Sequence, residues 1–370
     1  MGEPLRVGIV GAGKISAQYS ETFARLPQVA VTAVADLDAG RAQALAGQHP
    51  GARATDLAGL LAAPDVDVVL DLTIPAAHAE VTLAALAAGK HVYGEKPLTA
   101  TSAEAREVVA AVAAARDRGL RVACAPDTVL GTGTQTARAA VDAGLVGVPH
   151  AATAFMVNPG HERWHPDPEF YYRPGGGPLL DMGPYYLTAL VHLLGPVSRV
   201  LGAASRPRAT RTVGSGPKQG QEFAVEVASH VTGVLEHESG ALTTLVMSFD
   251  VWGSRLPRIE VHGDAGSLSV PDPNYFEGPV ELLTRDAPEW AALEPGAGYV
   301  EGGRGIGVAD LALALRDGVP HRADLDVAVH VLDVMEQLLA AAEGSGVADV
   351  ASTCERPDPV AGAVDLARLG

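Results

Sequence analysis

Cysteine is nearly absent: 370 residues contain only Cys124 and Cys354, too few and too far apart for a disulfide framework or a thiolate metal site. No apolar run reaches the roughly 18 residues that a membrane span needs. Basic residues are outnumbered, 27 against 44 acidic ones, for a formal net charge of −17. A chain so acidic has no basic stripe with which to displace counterions from nucleic acid, and none for an anionic membrane surface. Lysine is scarcer still, at positions 14, 90, 96 and 218 only, so each one stands out against the arginines. No charged and apolar leader with a small-residue cleavage site precedes the first strand pattern, and the expectation is a soluble, cytoplasmic protein.

What is present is a large apolar fraction, 47% of residues, enough for two cores in a chain too long for one ordinary domain. The first third alternates strand and helix patterns. Strands are predicted at Leu5–Val10, Val29–Ala35, Val66–Leu72, His91–Tyr93 and Arg121–Ala125, with helices at Ile15–Leu26, Asp38–Gln48, Ala77–Ala88 and Ser102–Arg118. Such alternation implies right-handed crossovers and a doubly wound parallel sheet, a Rossmann domain over residues 1–126.

Beyond it the expected order is α+β, with a large open, mostly antiparallel sheet in a domain over 127–345 and a tail over 346–370. Helices are predicted at Thr132–Ala143, Leu179–Leu194, Arg304–Arg316 and Leu325–Ala342. Strands are expected at Val148–Val157, Ser198–Ser205, Glu222–Glu236, Ala241–Val251, Pro257–His262 and Ser267–Val270. Gly263-Asp264-Ala265-Gly266 reads as a hairpin turn. Residues 158–178 read as irregular and 206–221 as a mobile loop.

The turn after the first strand is Gly11-Ala12-Gly13-Lys14-Ile15-Ser16. The first glycine permits the tight turn, the second lets backbone approach a pyrophosphate, and the next helix offers free N–H groups. Asp36 closes the second strand, 20 residues past Ser16, where a carboxylate accepts from ribose hydroxyls and repels a 2′-phosphate. NAD is therefore expected as cofactor ahead of NADP. Two further segments end strands on the same side: Thr73-Ile74-Pro75, with His78 one turn later, and Glu95-Lys96-Pro97. These join Gly11, Gly13, Lys14, Ile15 and Asp36 as expected cofactor-binding residues.

His161-Glu162-Arg163-Trp164-His165 matches the HExxH zinc pattern. That chemistry requires a helix, and Pro159, Pro166 and Pro168 argue against one; no third ligand is signalled, and no metal is expected.

The segments VGIVGAGKIS at 7–16, AVADLD at 33–38, TIPAAHAEVTLAALAAGKHVYGEKPLT at 73–99 and GGGPLLDMGPYYLTALVHLLG at 175–195 together resemble the Gfo/Idh/MocA oxidoreductase family, named after glucose–fructose oxidoreductase, inositol dehydrogenase and a rhizopine-catabolism protein. The resemblance implies that Lys96 contacts nicotinamide and substrate, that the Lys96–Pro97 peptide is cis, and that a second-domain helix carries an aspartate and, four residues on, an acid/base. That pair is Asp181 and Tyr185, a tyrosine standing where histidine is usual; the spacing keeps both on one helix face. An unperturbed phenol titrates near 10, and an ammonium such as Lys96 close by would lower it.

The resemblance further implies hydride transfer to or from a hydroxyl or carbonyl of a sugar, cyclitol or polyol. Lys96, Asp181 and Tyr185 are the catalytic expectation, and Lys96 or Tyr185 is the base. Expected substrate contacts are Lys96, Asp127, Thr128, Trp164, His165, Asp181 and Tyr185, in a cleft between the domains. A homo-oligomer packed through the second sheet is also implied. Two alternatives stand beside it: tightly held NAD used for transient oxidation (elimination, epimerisation or glycoside cleavage), and a non-catalytic NAD or sugar sensor.

Overall fold

Short apolar runs separated by capped helices set the first half of the chain. The computed structural model describes residues 3–369; Met1, Gly2 and Gly370, which the expected domain ranges include, lie outside the described residues. The strands are β1 (Leu5–Val10), β2 (Val29–Ala35), β3 (Arg53–Thr55), β4 (Val68–Asp71), β5 (His91–Gly94) and β6 (Val122–Cys124). Between them run α1 (Ser16–Phe23), α2 (Ala39–Ala46), α3 (Leu57–Ala62), α4 (Pro75–Ala87) and α5 (Ser102–Ala114). Sheet order is β3-β2-β1-β4-β5-β6, parallel throughout. All four residues of β4 are buried, as expected of a strand covered on both faces. Side chains start the helices: Asp38 accepts from Gly40 and Arg41 N–H at α2, and Thr101 with Glu104 forms a capping box at α5. The order reverses between β1 and β4, the place where such sheets bind ligands.

The second half supplies α6 (Thr132–Asp142), β7 (Pro149–Val157), α7 (Pro178–Leu194), β8 (Val197–Ser205), β9 (Thr210–Thr212), β10 (Glu222–Ala224), β11 (His230–His237), β12 (Leu242–Ser248), β13 (Ile259–Gly263), β14 (Gly266–Val270), β15 (Val280–Thr284) and β16 (Ala291–Leu293). Burial alternates along β7, and α7 packs against β7, β11 and β12 on one sheet face. Two expectations change here. Glu222–Glu236 is not one strand: β10 pairs with β9 as a separate ribbon, and β11 begins only at His230. Residues 206–221 are accordingly not all mobile loop, because β9 lies within them.

The chain then gives β17 (Gly298–Tyr299), α8 (Ile306–Asp317), α9 (Leu325–Glu343), β18 (Val347–Asp349) and β19 (Ala363–Val364). β18 pairs with β8 and completes a nine-stranded sheet, β16-β15-β14-β13-β7-β12-β11-β8-β18, antiparallel except for β7 beside β12.

Two compact units result, and neither is continuous in sequence. One comprises 1–132, 297–329 and 357–370; the other comprises 133–296 and 330–356. The expected boundaries at 126 and 345 are thus corrected. The reason is pairing across long separations: β17 joins β19, Cys124 N–H donates to Ala323 O, and Gln28 Nε2 donates to Leu366 O at 2.6 Å. Residues 346–370 are no loose tail. No helix among the described residues is long and apolar enough to cross a membrane.

Candidate functional site

In the first unit, three turns at the carboxyl ends of β1, β4 and β5 carry the expected residues. Gly11 has φ 99°, and a Cβ there would lie 2.7 Å from Leu72 O, so only glycine fits. A Cβ on Gly13 would meet nothing within 4 Å, which leaves open space over the turn. Lys14 is exposed, Ile15 occupies the N-cap of α1 without a capping side chain, and Ser16 donates back to Gly13 O at 2.7 Å. Asp36 braces this turn: Oδ2 accepts from Ala12 N–H at 2.7 Å and Oδ1 from Asp38 N–H at 2.8 Å. Next to it Leu37 and Asp38 are exposed, and neither offers a cation. An open glycine turn, an uncapped helix start and a carboxylate at the strand end fit a dinucleotide.

Thr73 bonds Asp71 Oδ1 through its N–H and its hydroxyl, and Ile74 and Pro75 are exposed beside it. His78 and Glu95 lie deeper, 2% and 9% exposed. Their side chains turn to protein partners and brace the turns. His78 Nδ1 donates to Pro97 O at 2.7 Å, with Nε2 3.2 Å from Thr73 O. Glu95 Oε1 accepts from the Tyr19 hydroxyl at 2.9 Å, and Oε2 accepts from Lys96 N–H at 3.0 Å. Lys96 is half-buried, and the Lys96–Pro97 peptide is cis.

Asp127 and Thr128, expected at the substrate, have no exposed surface. Asp127 Oδ2 accepts from Gly305 N–H at 2.8 Å and Gly307 N–H at 3.1 Å, which caps the start of α8. Burial raises its pKa, opposed by Arg304. The structure gives Asp127 a cap's role that no local sequence signal announced, since its partner lies 178 residues away.

In the second unit, α7 starts at Pro178 and carries Asp181 and Tyr185 one turn apart. Pro184, inside the helix, has no N–H for Leu180 O, and a Cβ on Gly183 would lie 2.8 Å from Met335 Sδ. That close approach of α9 fixes α7 between a helix and the sheet. Asp181 is partly exposed and Tyr185 is 6% exposed. Tyr186 is fully buried and donates to Asp272 at 3.3 Å, which makes it a packing residue.

The loop before α7 is ordered by a buried charge network. Arg211, on β9, donates to Glu162 Oε1 at 2.7 Å, Asp250 Oδ1 at 2.6 Å and Phe249 O at 3.0 Å. The Tyr172 hydroxyl donates to Glu162 Oε2, and Ser229 to Asp250 Oδ2 at 2.6 Å. On this frame sits an aromatic cluster around His161, with Tyr171, Phe249 and Trp164 at 4.3, 4.5 and 5.3 Å between ring centres. Trp164 is 54% exposed, and His165 Nδ1 accepts from Asp167 N–H. The HExxH segment is a single 3-10 turn over His161–Arg163, its glutamate paired with Arg211. Among the described residues no group of three His, Cys, Asp or Glu could hold a metal. Sequence reading missed Arg211 and gave His161 no partner, placing it only in the zinc-like pattern and among the aromatic and polar residues of the loop before α7; His161 Nε2 in fact donates to Asp181 Oδ2 at 3.1 Å.

His192, two turns past Tyr185, is 1% exposed, and neither ring nitrogen has a hydrogen-bond partner among the described residues. Burial foremost, then Arg138 and Arg356, pushes its pKa down to about 3. The unfolded ring titrates near 6.5, so the unfolded chain takes the proton first as pH falls. Stability from the neutral ring is complete above about 6.5 and is lost below it. His192→Leu should remove about 2 kcal/mol of the destabilisation between about pH 7 and pH 5, read from urea midpoints at both pH values. An unchanged pH dependence would refute this origin.

Comparison with known proteins agrees with this arrangement. Residues 5–124 match the family model described as oxidoreductase family, NAD-binding Rossmann fold, and residues 134–269 match the GFO/IDH/MocA C-terminal domain. The chain is 30% identical over 354 residues to dTDP-3,4-didehydro-2,6-dideoxy-alpha-D-glucose 3-reductase of Streptomyces antibioticus, which spans 91% of this chain and 97% of that protein. It is also 30% identical over 293 residues to D-glucoside 3-dehydrogenase of Escherichia coli (strain K12), covering 76% and 81%. Among solved structures, an NAD binding oxidoreductase from Klebsiella pneumoniae superposes with TM-score 0.79 at 22% identity, over 95% of this chain and 100% of that one. Levoglucosan dehydrogenase in complex with NADH and L-sorbose gives TM-score 0.79 at 20% identity, over 95% and 100%. These last two speak to the fold. With both halves matched and a relative aligned almost end to end, the chain belongs to the GFO/IDH/MocA family of oxidoreductases, and its first unit is the family's NAD-binding Rossmann fold.

Proposed function

We propose that the protein is an NAD-dependent oxidoreductase acting on a hydroxyl or carbonyl of a sugar, cyclitol or related polyol. The observation that carries this is the first unit's set of turns. The open Gly11–Gly13 turn, Asp36 at the end of β2 and Lys96 on the turn after β5 share the carboxyl edge of one parallel sheet. The substrate class is supported by the relatives, a reductase of a didehydro-dideoxyglucose nucleotide and a glucoside dehydrogenase. Bound over the glycine turn, NAD(H) would supply the hydride acceptor or donor. Lys96 then places a positive charge against the substrate oxygen as it becomes alkoxide-like, which lowers the barrier by electrostatic stabilisation. Tyr185 exchanges the proton of that oxygen, and Asp181 holds a neighbouring hydroxyl. Trp164, exposed, and His165, partly exposed and edge-on to it, offer an aromatic and polar border for a pyranose or cyclitol ring.

The test is a melting and nicotinamide-absorbance screen with NAD and NADP against aldoses, cyclitols and sugar acids. Selective stabilisation by NAD and turnover on one sugar class are expected. Protein that neither binds nor carries a nucleotide would overturn the reading. In the same assay Asp36→Ser, which removes the carboxylate that repels a 2′-phosphate, should raise the ratio of NADP to NAD efficiency by about tenfold to a hundredfold. An unmoved ratio would take Asp36 out of cofactor choice.

A further inference from the structure

Asp181 is held by a residue from outside its own helix. His161 lies on the loop before α7, and its Nε2–H donates to the Asp181 carboxylate at 3.1 Å, with the two side chains 12% and 20% exposed. Position 185, one turn along, is a phenol, so this imidazole reaches Asp181 from a different segment of chain.

The imidazole has little freedom. Tyr171 and Trp164 meet it edge-on, and Phe249, from the strand end after β12, lies against it at a tilt. Its backbone N–H donates to the Tyr172 hydroxyl at 3.2 Å. That hydroxyl is bound in turn to Glu162, which Arg211 neutralises. A carboxylate on a helix turns readily about its last torsion; one donor fixed in space removes that freedom.

We propose that His161 is a positioning residue for the reaction. Through its Nε2–H it sets the plane of the Asp181 carboxylate, and with it the direction that aspartate presents to substrate. The proposal rests on the assignment of Asp181 and Tyr185 to the reacting site. Its logic is that of an imidazole–carboxylate pair working as one preorganised unit, in which the geometry is fixed before substrate arrives.

Two substitutions separate positioning from packing because they act in opposite directions. Phenylalanine keeps the aromatic packing and deletes the N–H. Glutamine loses the ring but can place an amide N–H near the Nε2 position. With the full chain, NAD and the polyol found in the screen, H161F should lower kcat/KM by about tenfold to a hundredfold, the range for one hydrogen bond to a charged group. H161Q should stay within about threefold of wild type. In a D181N background H161F should cost little more, because its effect passes through Asp181. If H161F is harmless and H161Q is damaging, the ring is packing and the proposal is overturned. Losses from H161F and D181N that simply multiply would overturn it too. Wild-type protein without turnover on any polyol would remove this proposal together with the functional reading. An active wild type with a harmless H161F would remove this one alone.

Discussion

Lys96→Met should lower turnover by about a hundredfold to a thousandfold, while NAD still raises the melting temperature. The loss corresponds to removing one preorganised charge from the oxygen that gains charge in the transition state. The turn that carries this residue is firmly braced. The Lys96 N–H is held by Glu95, whose other oxygen is held by Tyr19, and the carbonyl of Pro97 is held by His78. Three side chains thus fix the turn that carries one ammonium. Lys96→Arg should not restore activity, because a planar fork cannot occupy the place of a compact ammonium. Tyr185→Phe, measured alongside, should cost a similar or larger factor, up to about ten-thousandfold for a proton carrier. Steady-state kcat with melting under NAD is the measurement. Turnover within a few-fold of wild type in the methionine variant would remove lysine from the mechanism.

Arg211→Leu should destabilise the second unit by about 3–5 kcal/mol, the cost of leaving buried carboxylates without their cation. Its side chain is 1% exposed, and those of Glu162 and Asp250 are 7% and 10% exposed. Removing the guanidinium leaves the two carboxylates to the Tyr172 and Ser229 hydroxyls and to Arg208, a solvent-exposed cation 3.7 Å from Asp250. Glu162→Gln and Asp250→Asn added to Arg211→Leu should recover part of the loss, since neutral amides cost less to bury. Urea unfolding of wild type and of both variants measures it. A loss below about 1 kcal/mol for Arg211→Leu would mean that water, Arg208 or repacking replaces the cation.

The parallel sheet was legible because its central strands are short, mostly apolar runs that alternate with helical patterns. β3, by contrast, is Arg53-Ala54-Thr55, too short and polar to register, and it sits at the sheet edge where burial asks little. α3, apolar but only six residues long, escaped by its shortness alone. The glycine turn, Asp36 and the EKP turn were legible because their chemistry is local. Asp127, Arg211 and His161 were not, because each acquires its role from a partner far along the chain: 178 residues for the cap on α8, 49 for Glu162 and 20 for Asp181. Polar residues in loops carry no periodicity that would betray such pairings. His161 was doubly hidden, since it falls in a pattern suggestive of zinc that the flanking prolines argue against. Setting the metal aside left His161 as one of several aromatic and polar residues of the loop before α7, with no partner of its own.

The nucleotide unit takes residues from three separate stretches, 1–132, 297–329 and 357–370. On a ribosome its six-stranded sheet emerges early, yet the α8 backbone that Asp127 caps appears only after the whole of 133–296 has been made. The strand that pairs with β17 comes later still. During synthesis the buried Asp127 carboxylate must wait 178 residues for the first of the two amides that bind its Oδ2. Nascent chains stalled at residue 296 should therefore expose the edge of this unit to proteases and chaperones, and nucleotide should protect it only after 357–370 has left the exit tunnel.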